Sequence, residues 1–142
     1  MSVKSKDLSK AGLPDPGVYR ATIDYADVRD GVSREGEGYT YMLAKYTLHE
    51  KFGEGPLEFP AAAWDRFYFR GKSLERLKNL IIILTGGLPT GDENGDVKEE
   101  DLADAIRDGE VYISVFHETD DNNIERARVG WRFSSNGAKL KG

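Results

Sequence analysis

Apolar and polar side chains alternate with a period of two in three stretches of the first 70 residues, which predicts strands before any helix. Residues 18–28 place Tyr19, Ala21, Ile23 and Tyr25 on one face and Arg20, Thr22 and Asp24 on the other, as a first strand. The connection 29–38 carries Arg29 and Arg34 among the glycines Gly31, Gly36 and Gly38. A second strand, 39–50, is rich in Tyr, Thr and Leu, and Tyr39, Tyr41 and Lys45 share one of its faces. After a glycine-containing turn, a third strand covers about residues 59–70. Ala63, Phe67 and Phe69 give it a core face interrupted by Asp65, while Trp64, Arg66, Tyr68 and Arg70 all point the other way.

The pattern then changes to a helical one. Ser73 is the expected N-cap, Leu74, Leu77, Ile81 and Leu84 form a stripe, and Gly86 and Gly87 end the helix. An acidic, glycine-containing loop leads to a short helix at 99–107, stopped by Gly109. A fourth strand at 110–118 alternates Val111, Ile113 and Val115 against Tyr112, Ser114 and Phe116. A turn at 119–123 precedes a fifth strand, 124–133, with Ala127, Val129, Trp131 and Phe133 on one face and Arg126, Arg128 and Arg132 on the other. These elements define one domain, 17–134, between a flexible basic arm (1–16) and a basic polar tail (135–142).

Three strands joined by short links, a helical insertion, then two strands is the element order of a five-stranded Greek-key barrel of the OB type, mainly β with helices between strands three and four. The alternative is an α+β sheet with helices on one face. The chain has 142 residues, of which 39 % are hydrophobic and 32 % charged, enough for one domain with a real core. The longest wholly apolar stretch, Leu80 to Leu84, is too short to cross a bilayer, and no secretory segment is visible; a cytoplasmic location is the default.

The net charge of −5 at first opposes a nucleic-acid partner, but its distribution does not. Between Asp92 and Glu125 there are thirteen acidic and two basic residues, a local charge of −11. The remaining 18 basic and 12 acidic residues leave +6 elsewhere, and association responds to the local field.

Catalytic and metal chemistry find little in the sequence. There is no cysteine, and the two histidines, His49 and His117, stand near strand ends in no metal-ligand spacing. Asp92, Asn94 and Asp96 match the start of a calcium loop, but Val97 takes the required glycine position and Ala103 the glutamate position. Gly71-Lys72-Ser73 ends like a P-loop, yet Arg66 stands where its first glycine belongs. No enzyme activity and no cofactor are expected; Lys72 beside a helix start is instead a candidate contact for one backbone phosphate.

Aromatic side chains interleaved with cations form the one coherent constellation. Trp64, Arg66, Tyr68 and Arg70, with Tyr39, Tyr41 and Lys45 alongside, Arg29 and Arg34 in the first loop, and Arg126, Arg128 and Arg132 on the last strand, suit stacking on bases and neutralising phosphates. Two competing accounts use the same residues. The rings can pack against the helices, the arm or a second copy, and the arginines can pair with the acidic block.

Several short motifs are similar to those of a family of small bacteriophage proteins, long catalogued as a domain of unknown function and associated with single-stranded-DNA binding and recombination. They are Leu13-Pro14-x-x-Gly17-Val18-Tyr19-x-Ala21-x-Ile23, the strand around Tyr41 to Leu48, Gly71-Lys72-Ser73-Leu74-x-x-Leu77-Lys78, and Asn123-x-x-x-Ala127-x-Val129. The resemblance implies an OB-type fold and a role in phage replication or recombination, in the host cytoplasm, with phage or host proteins of those processes as further partners. The chain departs from many single-strand binders in ending Ala138-Lys139-Leu140-Lys141-Gly142, which is basic where they are acidic. The expectation is a non-enzymatic binder of single-stranded DNA, with RNA open, little sequence preference and self-association on the strand. The alternative is an OB-type protein-interaction module whose acidic segment mimics DNA.

Overall fold

The computed structural model describes residues 13–141. Five strands, β1 (Gly17–Val32), β2 (Gly38–Lys51), β3 (Gly55–Tyr68), β4 (Glu110–Thr119) and β5 (Glu125–Ser134), form one antiparallel sheet in the order β3-β2-β1-β4-β5. Two helices, α1 (Gly71–Thr85) and α2 (Glu99–Ile106), lie between β3 and β4 in the chain, and a 3₁₀ turn (Gly137–Leu140) follows β5. The mainly β, five-stranded reading therefore holds, with the helical insertion after the third strand as expected. The sheet is open between β3 and β5. Of the expected N-terminal arm, residues 1–12 lie outside the described residues.

Hairpin pairing carries the first strands further than local propensity predicts. β1 runs to Val32, which pairs with Gly38, so Arg29 and Gly31 stand in the strand and only 33–37 turn. That turn is held by the Ser33 N–H to Glu37 O bond of 2.8 Å and by Glu37 N–H donating to Ser33 Oγ at 3.1 Å. β3 ends at Tyr68, which leaves Arg70 beyond the strand as the N-cap residue of α1. Ser73 is not the cap. Its hydroxyl accepts the Tyr68 N–H at 2.7 Å and fastens the helix start to the strand end. At the other end Gly86 adopts φ 86° and returns its N–H to Ile82 O, as the glycine pair predicts.

Met42, Ala44, Tyr46 and Leu48 of β2, Ala63 and Phe67 of β3, and Val111, Ile113 and Val115 of β4 fill one face of the sheet. Leu77, Leu80 and Ile81 of α1 and Ala103 and Ile106 of α2 close over it. Each large apolar side chain buried this way contributes about 1.5–3 kcal/mol, more than helix propensity gives, so this face holds the helices in place.

Of four register shifts in the sheet, two displace side chains from the faces that alternation assigned them. Asp24 is an extra residue in β1, since Ile23 pairs with Tyr46 and Tyr25 with Lys45. This bulge turns Tyr25 away from the core face that the sequence assigned to it, and Ala26 becomes the buried neighbour. Asp108 and Gly109 stabilise the bulge: Asp108 N–H donates to Ile23 O (2.8 Å) and Ile23 N–H to Gly109 O (2.9 Å). On β5, Phe133 pairs with Ile113 but Val129 with Val115, so two extra residues sit opposite Ser114. Trp131 is thereby expelled from the predicted core face and stands 58 % exposed.

Arg76 spans the open seam from its buried place on α1. Its guanidinium donates to both carboxylate oxygens of Asp65 on β3 (3.1 and 2.7 Å) and to the carbonyls of Gly130 (2.9 Å) and Trp131 (3.0 Å) on β5. Its Cζ lies 4.6 and 4.8 Å from the ring centres of Phe133 and Phe67. Tyr46 completes the group by donating its hydroxyl to Asp65 at 2.9 Å. Burial, followed by the Asp65 charge, pushes the Tyr46 hydroxyl well above its ordinary pKa. One side chain thus replaces a missing ladder of backbone bonds, and Asp65, an anomaly on an apolar strand face, is its counter-charge.

Candidate nucleic-acid interface

The solvent side of β1, β2 and β3 gathers the predicted aromatic and basic positions because their register aligns them. Tyr41 pairs with Tyr68, Leu43 with Arg66 and Lys45 with Trp64 on one flank of β2; Tyr25 pairs with Lys45, Arg29 with Tyr41 and Gly31 with Tyr39 on the other. Non-adjacent positions along each strand therefore become one surface. Tyr39, Tyr41 and Tyr68 form a triangle with ring centres 5.8, 6.1 and 6.3 Å apart. Trp64, 50 % exposed, meets the edge of Tyr25 at 6.2 Å.

Cations lie over these rings. Arg66 Cζ is 4.9 Å from the centre of Tyr41, and Lys45 Nζ is 5.9 Å from Trp64. Among the described residues Arg66 and Lys45 have no carboxylate partner, so both charges remain available to an anion. Arg29 is differently placed. It donates to the Tyr25 hydroxyl (2.6 Å) and to Asp27 (3.2 Å), and the Tyr25 and Arg29 hydrogen bonds hold the Asp27 carboxyl below the usual carboxylate range. Arg34 is exposed at the tip of the β1–β2 turn.

Beside the tyrosine triangle, Gly38, Tyr39, Thr40, Tyr68, Phe69, Arg70 and Glu99 line a hollow of about 250 Å³. Arg70 thus stays next to Tyr68 although it has left the strand. Lys72 is exposed on the first turn of α1.

A larger cleft, about 590 Å³, opens at the seam between β3 and β5. Leu43, Trp64 and Arg66 form one wall, Arg126, Arg128 and Val129 the other, and Asp65 also lines it. Arg126 Nε is 2.7 Å from Asp120, and Arg128 Nε 3.8 Å from Glu118, so the acidic β4–β5 hairpin engages both β5 arginines. Of the acidic block, this hairpin reaches the cleft and Glu99 of α2 the hollow beside Arg70, whereas Glu100 and Asp104 turn to the neighbouring Arg107. The hydrogen bond from Arg126, then the Ile124 N–H, holds the Asp120 carboxyl below its ordinary pKa.

Arg132 is not brought to this surface. The two extra residues of β5 carry it with Trp131 into a separate hollow against Asn79, Ile82 and Ile83 of α1. Conversely, Tyr25 and Leu43 belong to the surface and were not among the predicted site residues. No sequence signal marked Tyr25: the alternation runs on through it, and only in the folded sheet does buried parity along β1 shift from odd (Ala21, Ile23) to even (Ala26) across Asp24.

The histidines serve as polar links. His49 Nε2 lies 2.8 Å from the Thr22 hydroxyl, and His117 lies between Glu125 and the Pro14 carbonyl at 2.9 and 2.7 Å. Among the described residues no group of three or more His, Cys, Asp or Glu side chains is placed to hold a metal ion, and no helix is long and apolar enough to cross a membrane. No family model matches the chain, and no curated protein sequence matches it.

Proposed function

We propose that this chain binds single-stranded nucleic acid, DNA in the first instance, on the solvent face of β1–β3, without catalysing a reaction. The observation that carries the reading is the cluster of five surface rings, Tyr25, Tyr39, Tyr41, Trp64 and Tyr68, with Arg66 and Lys45 lying over two of them. Every base has a π-face, so such a platform accepts any sequence, and the cations take the backbone between stacked bases. The strand order β3-β2-β1-β4-β5, opened at β3–β5, supports an OB-type barrel, in which the β2–β3 face and the β1–β2 and β4–β5 loops meet the strand. On this reading, taken with the motif resemblance, the protein acts in phage replication or recombination in the host cytoplasm, self-associates along the strand and works beside other proteins of those processes.

A titration with fluorescein-labelled oligo-dT and with duplex of equal length at low salt tests this. The single strand binds more tightly, and log K falls against log salt with a slope of about −0.7 for each phosphate engaged. Lack of single-strand binding at low salt, with aromatic substitutions altering the oligomeric state instead, makes the surface a protein interface.

Gly31 supplies a finer check. A Cβ there would lie 2.5 Å from Cζ of Tyr39, whose ring covers the glycine. Gly31→Ala therefore lifts Tyr39 out of the triangle and weakens oligo-dT binding by up to about tenfold, one stacked base at about 1.4 kcal/mol. Unchanged polarisation titrations in that variant remove Tyr39 from the platform.

A further inference from the structure

The seam cleft holds a feature that the stacking platform does not explain. Arg126 and Arg128 form its β5 wall, yet each is engaged by a carboxylate of the same hairpin. Glu118 stands directly opposite Arg126 in the β4–β5 register but reaches diagonally to Arg128, and Asp120 reaches back from the turn to Arg126. Both arginines remain about half exposed, 52 and 46 % by side chain. A guanidinium binds carboxylate and phosphate oxygens in the same way, so the 2.7 Å Arg126–Asp120 hydrogen bond resembles one a phosphodiester would make, and Glu118 at 3.8 Å holds Arg128 as a looser ion pair.

We propose that Arg126 and Arg128 form a phosphodiester subsite across the cleft from Trp64, and that Asp120 and Glu118 occupy it in the free chain as built-in phosphate surrogates. The proposal rests on the single-strand-binding reading and adds a regulated step to it. Exposed ion pairs shift an equilibrium by only about 1.5- to fivefold each, so a backbone phosphate exchanges with them readily. Exchange has a consequence that a free arginine would not show. Each displaced carboxylate takes up a cation as the phosphate sheds one, so the pairs reduce both affinity and salt dependence. The hairpin thereby sets a threshold: a strand long enough to reach from the tyrosine triangle to the cleft displaces the carboxylates, whereas isolated phosphates compete poorly.

The test uses the full chain and labelled oligo-dT over a salt series. In Glu118→Gln combined with Asp120→Asn the amide of Asn keeps the acceptor that holds the Asn122 and Ile124 N–H groups, so the turn is retained while both charges go. Affinity at low salt rises about three- to tenfold and the log–log slope steepens by up to about 1.4. Asp121→Asn, which removes one charge from the same turn away from both arginines, gives a smaller gain than Asp120→Asn. In an Arg126→Gln, Arg128→Gln background the gain disappears. No gain in the double variant, an equal gain from Asp121→Asn, or a gain that persists without the arginines overturns the subsite. If those results appear while loss of Trp64 and Tyr68 still weakens binding strongly, the subsite alone falls. If the unmodified chain binds no oligo-dT, the stacking reading falls with it.

Discussion

Replacing Trp64 and Tyr68 together by alanine is expected to weaken oligo-dT binding by about thirtyfold or more, because each stacked base contributes about 1–3 kcal/mol. The two rings anchor opposite ends of the platform. Trp64 bears on Tyr25 and lies under Lys45, and Tyr68 completes the triangle with Tyr39 and Tyr41. Their removal deletes two stacking surfaces and loosens the neighbours that remain. Both side chains stand on the solvent face, 50 and 36 % exposed, so the fold persists and thermal melting by circular dichroism shifts little. Fluorescence polarisation reads the loss. Full affinity in the double variant removes this face as the binding surface.

Arg76→Ala is expected to destabilise the fold by about 3–5 kcal/mol, the largest effect of any substitution outside the apolar core. The change strands the Asp65 carboxylate, which is 11 % exposed, and takes the donor from two β5 carbonyls at the seam. It also removes the cation packed between Phe67 and Phe133. Urea unfolding measures the loss. Arg76→Met with Asp65→Leu costs less than Arg76→Ala, because no unpaired charge is left inside. A single-variant loss below about 1 kcal/mol shows that the seam is held by the apolar contacts instead. The two predictions meet at the cleft, since Asp65 lines it between Trp64 and Arg66. A seam that loosens also widens the gap across which Arg126 and Arg128 face the platform.

Alternation made the platform legible before any tertiary contact was known. Side chains in a strand change face at every residue, so Trp64, Arg66 and Tyr68 had to share a side, as did Tyr39, Tyr41 and Lys45. The glycine stop at Gly86 was equally local, because a residue in the left-handed region declares itself by type. Tyr25 escaped because one extra residue, Asp24, reverses the face of everything after it, and a bulge is fixed by pairing with the next strand. Trp131 and Arg132 escaped because a two-residue excess opposite Ser114, also set by pairing, loops them out between Val129 and Phe133, which keep their predicted face.

By itself the sequence determined the strands and helices, their order and the chemistry of the β2–β3 face, all of which follow from backbone periodicity within a few residues. Only the tertiary structure decided which cations that face keeps. Arg66 and Lys45 lie over rings, whereas Arg126 and Arg128 are engaged by Asp120 and Glu118. Only the tertiary structure, too, revealed that the sheet is spanned at its opening by Arg76, whose partners lie 11 residues before it and 54 and 55 after it. The physical reason is range. A side chain's face is set by its own backbone, but the partner that neutralises a charge is set by how the whole sheet curls.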